Sequence, residues 1–203
     1  MNKSIFDLAT QQNNVDFKII VALERISESF RVLLWEEAKK FSLSPIQIQI
    51  LVFTKYHKDQ YCKVGYLARE FNMTKATISD SVKVLLKKEL VEKEIDTEDS
   101  RSYSIALTNA GREIADNAES FANPLLSTLS EVGVESKSEL LSQLLNTIQG
   151  LIESGVIGMQ RMCHTCRFLE IRDDQHYCNF LNKSLKPAQL RVDCPEHENK
   201  LTA

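Results

Sequence analysis

Apolar side chains recur at Ile19, Leu23, Ile26, Phe30 and Leu33, steps of four and three that stripe one face of a long helix ending near Phe41. Ser44-Pro45 reads as an N-cap followed by proline in the first turn, and Ile46, Ile48, Ile50, Leu51 and Phe53 fill a second, heavily buried helix expected to end near His57. The segment Tyr61 to Val64 is read as a short strand. Leu67, Ala68 and Phe71 then give a brief helix broken at Asn72. Thr74 is a candidate N-cap for the next helix. Its inward positions Ile78, Val82, Leu85 and Leu86 leave Lys75, Thr77, Ser79, Lys83, Lys87 and Lys88 toward solvent.

Beyond Leu90 the period falls to two. Val91, Lys93 and Ile95, a charged turn TEDSR, then Tyr103, Ile105 and Leu107 predict a hairpin with a charged tip. Thr108 caps a further helix whose apolar positions Ala110, Ile114, Ala118, Phe121, Leu125, Leu129 and Val132 are interrupted only by Pro124, expected to kink it. Another amphipathic helix is predicted from about Ser136 to Ile152. After Gly150, Gly155 and Gly158 the composition shifts to Cys, His and Arg with single aromatics and no long helical stripe. Together these patterns predict a mainly α chain with a small β wing, divided into four parts. Residues 1–41 form an N-terminal dimerisation helix, 42–108 a winged helix-turn-helix, 109–157 C-terminal dimerisation helices, and 158–203 a cysteine-rich segment.

Composition narrows the function. An apolar share of 43% in 203 residues excludes intrinsic disorder, and 25 basic against 28 acidic side chains, net -3, exclude a polycation that coats nucleic acid nonspecifically. Any DNA contact must therefore be local. No apolar run approaches the roughly 20 residues that cross a bilayer, and the first residues lack the pattern of a secretory signal, so a cytoplasmic protein with no membrane partner is expected. No His-Glu-x-x-His, Gly-x-Ser-x-Gly or glycine-rich phosphate loop occurs, which argues against an enzyme.

Two short helices followed by a hairpin form a winged helix-turn-helix, in which the second helix enters the major groove and the hairpin reaches the minor groove. Thr74, Lys75, Thr77, Ser79 and Lys83 supply hydroxyls near the helix start, where backbone N–H groups also favour phosphate, and cations further along. At the wing tip Arg101 suits a narrow minor groove, and Asp99 can hold it extended. The segment from SPIQIQIL through LAREFNMTKATIS (Leu67 to Ser79) to the wing DSRSYSIALTNAGRE (Asp99 to Glu113) resembles the MarR family of transcription regulators, over about residues 15 to 152. The resemblance implies a triangular homodimer with the first and last two helices interlocked. It places DNA contacts on Thr74, Lys75, Thr77, Ser79, Lys83, Asp99 and Arg101. It also implies a near-palindromic operator in double-stranded DNA and a small-molecule effector that releases a repressor. Two positions depart from the family pattern: Asp80, where a basic residue is common, and Glu89, where a glycine commonly ends the helix. Asp80 either faces away from phosphate, reads a cytosine amino group or marks a weaker binder. The bare residues give the dimer separate support, because the stripes at 19–33, 110–132 and 140–152 exceed what one winged lobe can cover.

Four of five cysteines, Cys163, Cys166, Cys178 and Cys194, fall in the last fifth of the chain, where a reducing compartment argues against disulfides. The Cys-x-x-Cys turn plus two further thiols suit a closed four-sulfur site, with Zn(II) the expected occupant and an iron–sulfur cluster the alternative. Arg161, Arg167, Arg172 and Lys183 are candidates to offset its negative charge. His164, His176 and His197 are each able to replace a cysteine ligand but are read first as ordinary surface residues, and Cys62 as a small core residue. The leading function is a metal- or redox-responsive, or effector-responsive, DNA-binding repressor. The alternatives are a winged-helix interaction adaptor, favoured by Asp80 and the acidic strand, and a metal or thiol enzyme built on the tail.

Overall fold

The computed structural model describes residues 4–95 and 102–200. After a short helix α1 (Leu8–Gln11), the long helix α2 (Val15–Lys40) starts one turn before the apolar stripe does. Its first turn is fixed by the Asn14 side chain, which accepts hydrogen bonds from the backbone N–H groups of Asp16 and Phe17. Of its 26 residues only Leu34, Glu37 and Ala38 are buried, so Ile19, Ile26 and Phe30 stand open in the single chain.

The winged lobe follows. Helix α3 (Pro45–Tyr56) begins with proline at the position where a missing N–H costs nothing, and the Gln47 side chain accepts from the Ser44 N–H at 2.9 Å. Then come α4 (Val64–Glu70), α5 (Lys75–Lys87) and the antiparallel pair β1 (Val91–Ile95) and β2 (Tyr103–Leu107), in register from Val91 opposite Leu107 to Ile95 opposite Tyr103. Ile48, Leu51, Leu67, Ile78, Val82, Leu85 and Ile105 make one continuous core beneath them. The expected strand at 61–64 is instead a 3-10 turn at Asp59–Tyr61. The N–H groups of Tyr61 and Cys62 bond locally to Lys58 and Asp59, leaving a single ladder-like bond from the Ile105 N–H to the Cys62 carbonyl. Cys62 is buried, as expected of a small core residue.

The helix expected over 110–132 is divided into α6 (Asn109–Ala118), a 3-10 turn at Glu119–Ala122 and α7 (Asn123–Leu129). Pro124 lies at the start of the second piece; its ring would clash with the carbonyl four residues back, at Ser120, so the break precedes it. Thr108 caps α6 by accepting from the Gly111 N–H. Gly111 permits a close crossing: a Cβ there would sit 1.8 Å from the Leu90 carbonyl oxygen.

Helix α8 (Val134–Glu153) leads into the cysteine segment, which contains a three-stranded antiparallel sheet, β3 (Leu169–Arg172), β4 (Gln175–Cys178) and β5 (Lys183–Leu185), in that order. Its core is shared, since Met162, Cys163, Leu169, Leu185 and Leu190 pack with Leu145 of α8. Among the described residues no helix is long and apolar enough to cross a membrane.

Candidate nucleic-acid interface

Helix α5 is built to present one face. Ile78, Val82 and Leu85 are fully buried, while Thr74, Lys75, Thr77 and Lys83 are exposed and Ser79 is half-buried. The predicted recognition residues thus share one helix and, Ser79 apart, stand in solvent. Thr74 caps the helix, its hydroxyl oxygen accepting from the Thr77 N–H at 3.1 Å, and the two threonine hydroxyls lie 2.8 Å apart. Both hydroxyls are therefore fixed at the helix end where partial positive charge favours an anion.

Asp80, the departure noted in the sequence, lies in solvent. It is exposed and pairs with Lys83 at 2.9 Å, one helical turn on, and the carboxylate holds the lysine's pKa above its ordinary value. The cation expected to meet phosphate is thus partly engaged within the helix. Glu89 adopts φ 56°, the left-handed region for which the family's glycine is suited. Asp99 and Arg101 lie outside the described residues.

Residues overlooked in the sequence join this face. A groove of about 650 Å³ beside the start of α5 is lined by Lys63, Gly65, Arg69, Met73, Lys75 and Ser102. It brings Lys63 and Arg69 next to Lys75, three cations at the junction of α4, α5 and the wing strand. Arg69 also lies over the Tyr66 ring at 5.6 Å. Its place in the last turn of the apolar helix α4 gave no signal of this role.

Against known proteins, residues 41–102 match the MarR family model. Over that stretch the chain is similar to the MarR family. The matched stretch covers α3 to β1 and stops just before β2, so it holds the helices and first strand that build this face. The fold of MarR-type regulators extends further. MepR of S. aureus in a DNA-binding conformation superposes with TM-score 0.59 at 20% identity, covering 66% of this chain and 98% of that one. The S. aureus MepR–DNA complex gives 0.57 at 20% identity, covering 64% and 96%. MepR described as a transcription regulator of the Staphylococcus aureus multidrug efflux pump MepA gives 0.50 at 19%, covering 64% and 96%. No curated protein sequence gives a significant match.

The cysteine segment adds a second cluster to the MarR-type frame. Cys163, Cys166, Cys178 and Cys194 all line one small cavity, walled by Phe168, Leu169, Phe180, Leu181 and Leu185. All four are free thiols, and burial pushes the Cys163 thiol up, as does the nearness of the other three. Among the described residues no three His, Cys, Asp or Glu side chains are grouped closely enough to hold a single ion.

The charges around this cavity differ from those expected. Arg191, overlooked in the sequence, donates its backbone N–H to the Cys163 Sγ at 3.2 Å and its Nη1 to the Cys194 Sγ at 3.4 Å. Arg167 and Arg172 pair with Glu198 and Glu170. Arg161 is buried and points to the winged lobe: its guanidinium lies 4.4 Å from the Tyr61 ring centroid and grips Asp193 at 3.0 and 2.8 Å. His57 reaches the same Asp193 carboxylate through Nε2 at 2.8 Å. Burial would raise the Asp193 carboxyl, but the hydrogen bonds from His57 and Arg161 outweigh it and bring its pKa down to about 2.

His164 and His197, read as surface residues, are buried. The His197 Nε2 meets the Thr165 hydroxyl at 2.9 Å, which locks the C-terminal stretch to the Cys-x-x-Cys turn, and burial lowers the pKa of both histidines. Spacing alone cannot reveal such a contact, because Thr165 and His197 lie 32 positions apart.

Proposed function

We propose that the chain is a cytoplasmic, homodimeric DNA-binding regulator of MarR type, a repressor whose two lobes read a near-palindromic operator. The observation that carries this reading is the exposed face of α5, with Thr74, Lys75, Thr77 and Lys83 aligned over a buried Ile78–Val82–Leu85 seam and flanked by Lys63 and Arg69. MepR, whose fold this chain shares, has been captured in complex with DNA, which supports carrying the role across.

Dimerisation is supported by apolar surface on three elements that the single chain leaves open. These are Val15, Ile19, Ile26 and Phe30 on α2, Leu126 and Leu129 on α7, and Val134 and Leu140 on α8. A twofold pair presents two α5 helices to one face of the duplex, with half-sites about 10 base pairs apart. A small-molecule effector that alters the spacing of the lobes has a candidate site in the cleft of about 390 Å³ lined by Phe71, just after α4, and by Ile148 of α8.

Mobility shift with genomic fragments tests the reading. Specific, salt-sensitive binding is expected, and Lys83→Ala is expected to lower affinity and reduce the salt slope by about 1. Asp80→Asn is expected to tighten binding by releasing Lys83 and removing a like charge from the phosphates. If the protein binds no fragment, and Asp80→Asn does not restore binding, the adaptor reading favoured by Asp80 and the exposed Glu92 and Glu94 takes its place.

A further inference from the structure

We propose that Cys163, Cys166, Cys178 and Cys194 hold an iron–sulfur cluster whose presence locks the tail onto the helix-turn-helix and tightens DNA binding; the second half rests on the regulator reading above.

The cavity carries the choice of occupant. A zinc ion bonds its sulfurs at about 2.3 Å and draws four of them to a point, leaving no space between. Here no three of the four cysteine side chains are close enough to share one ion, and the thiols stand around a cavity of about 30 Å³. That exceeds the roughly 10–15 Å³ that one water requires. Water needs two to four polar partners, whereas Phe168, Leu169, Phe180, Leu181 and Leu185 make the walls apolar. Such a space, ringed by soft ligands and walled mainly by apolar side chains, fits a body of iron and sulfide. The Arg191 backbone N–H and guanidinium already point at two of the sulfurs, a donor set that stabilises thiolates and their clusters.

The coupling follows from which residues flank the ligands. The two ligand-bearing loops are tied to each other: the Cys163 N–H donates to the Arg191 carbonyl at 3.0 Å and the Cys194 N–H to the Arg161 carbonyl at 2.8 Å. Arg161 and Asp193, beside those ligands, reach the winged lobe through His57 at the end of α3. His57 thus bridges two groups, meeting the Phe53 carbonyl through Nδ1 at 2.7 Å and the Asp193 carboxylate through Nε2 at 2.8 Å. A second grip lies at the turn itself. The Gly158 N–H donates at 3.1 Å to the side-chain oxygen of Asn72, the left-handed residue, φ 50°, between α4 and α5. An occupied centre therefore fixes both the end of α3 and the turn that aims α5, and an empty one lets both loosen.

Full-length protein purified without oxygen is expected to carry iron and acid-labile sulfide in near-equal amounts, with visible charge-transfer absorption, and Cys166→Ser to lose both. Zinc without sulfide, or no metal, overturns the cluster. Loaded protein is expected to bind an operator fragment roughly 5–150-fold more tightly than the same protein stripped with a chelator. Equal or weaker binding overturns the coupling. Because Cys166→Ser risks unfolding the tail, His57→Phe gives a second reading: it keeps a ring stacked on Phe53 and removes the bond to Asp193. Iron and sulfide should then be unchanged while the gap between loaded and stripped forms narrows, and an undiminished gap overturns the clamp. If iron and sulfide are present but neither form binds DNA, the regulator reading and the coupling fall together while the cluster stands.

Discussion

The winged lobe and the cysteine tail reach order by different means. The lobe closes over a core of large aliphatic side chains at zero exposure, Ile48, Leu51, Leu67, Ile78, Val82 and Leu85, drawn from three helices. Burial of that kind, worth about 1.5–3 kcal/mol per side chain, needs no further staple. The tail has five buried apolar residues of its own in its cluster, one of them a cysteine, and borrows Leu145 from α8 to complete it. It also buries Arg161, His164, Thr165 and His197. Such polar groups specify a geometry through their partners more than they stabilise it. The contrast teaches that the lobe is a self-sufficient scaffold, whereas the tail's order depends on α8, on the Arg161–Asp193 pair and on whatever its thiols bind.

The largest expected effect is on the tail. If a cluster cross-links it, chelation should raise amide hydrogen exchange over residues 162–194 by about a hundredfold or more, while α3 and α5 lose no more than a few-fold. Uniform loss of protection in both regions would mean that the tail is as much a part of the main core as the lobe helices. The next effect separates the two cores by substitution. Ile78→Ala and Leu145→Ala each remove a fully buried aliphatic side chain, at a cost of about 2–5 kcal/mol. The first should shift the main denaturant transition. The second should chiefly speed exchange in the tail and leave that transition's midpoint nearly in place.

The same division explains what could be read from the chain. A stripe such as Ile78–Val82–Leu85, with Thr74 ahead of it, announces both the helix and its exposed face, because helical period and burial coincide in a few consecutive turns. The wing strands and the Thr108 cap were legible for the same reason. In the tail the strands are three or four residues long, too short for alternation to register, and their order depends on contacts as distant as Thr165 with His197. The convergence of the four cysteines was visible as a cluster in sequence. The roles of Arg161 and Arg191 were not, because charge alone does not say whether a guanidinium turns to a sulfur, a carboxylate or an aromatic ring. The break before Pro124 shows the intermediate case: the residue was noticed, but the turn it forces lies upstream of it.

Two smaller effects probe the lobe and its junction with α6. Gly111→Ala places a methyl group on the Leu90 backbone, which cannot swing aside as a side chain can, so a loss of about 1–3 kcal/mol or more is expected in denaturant unfolding. Cys62 offers a chemical report on the same packing. Burial pushes its thiol up to about 11, so at pH 8 it should resist alkylation in the folded protein and react only as the lobe opens. Labelling of Cys62 at the same rate as an unfolded thiol would contradict the closed core described for this region.

The smallest effect runs the other way. Glu89 follows the last turn of α5 with φ 56°, a conformation that costs a side-chain-bearing residue about 1–2 kcal/mol and glycine almost nothing. Its N–H closes the helix on the Leu86 carbonyl and its own carbonyl accepts from the Thr108 hydroxyl, so the conformation is held by backbone bonds that a glycine would keep. The unfolded chain gains freedom from a glycine, which offsets part of the relief. Glu89→Gly is therefore expected to raise the lobe's stability by less than about 1 kcal/mol, read as a small rise in the denaturant midpoint with tail exchange unchanged. Destabilisation instead would show that the Glu89 side chain makes an interaction worth more than the strain of its backbone, and that the junction between recognition helix and wing is held by a side chain as the tail is.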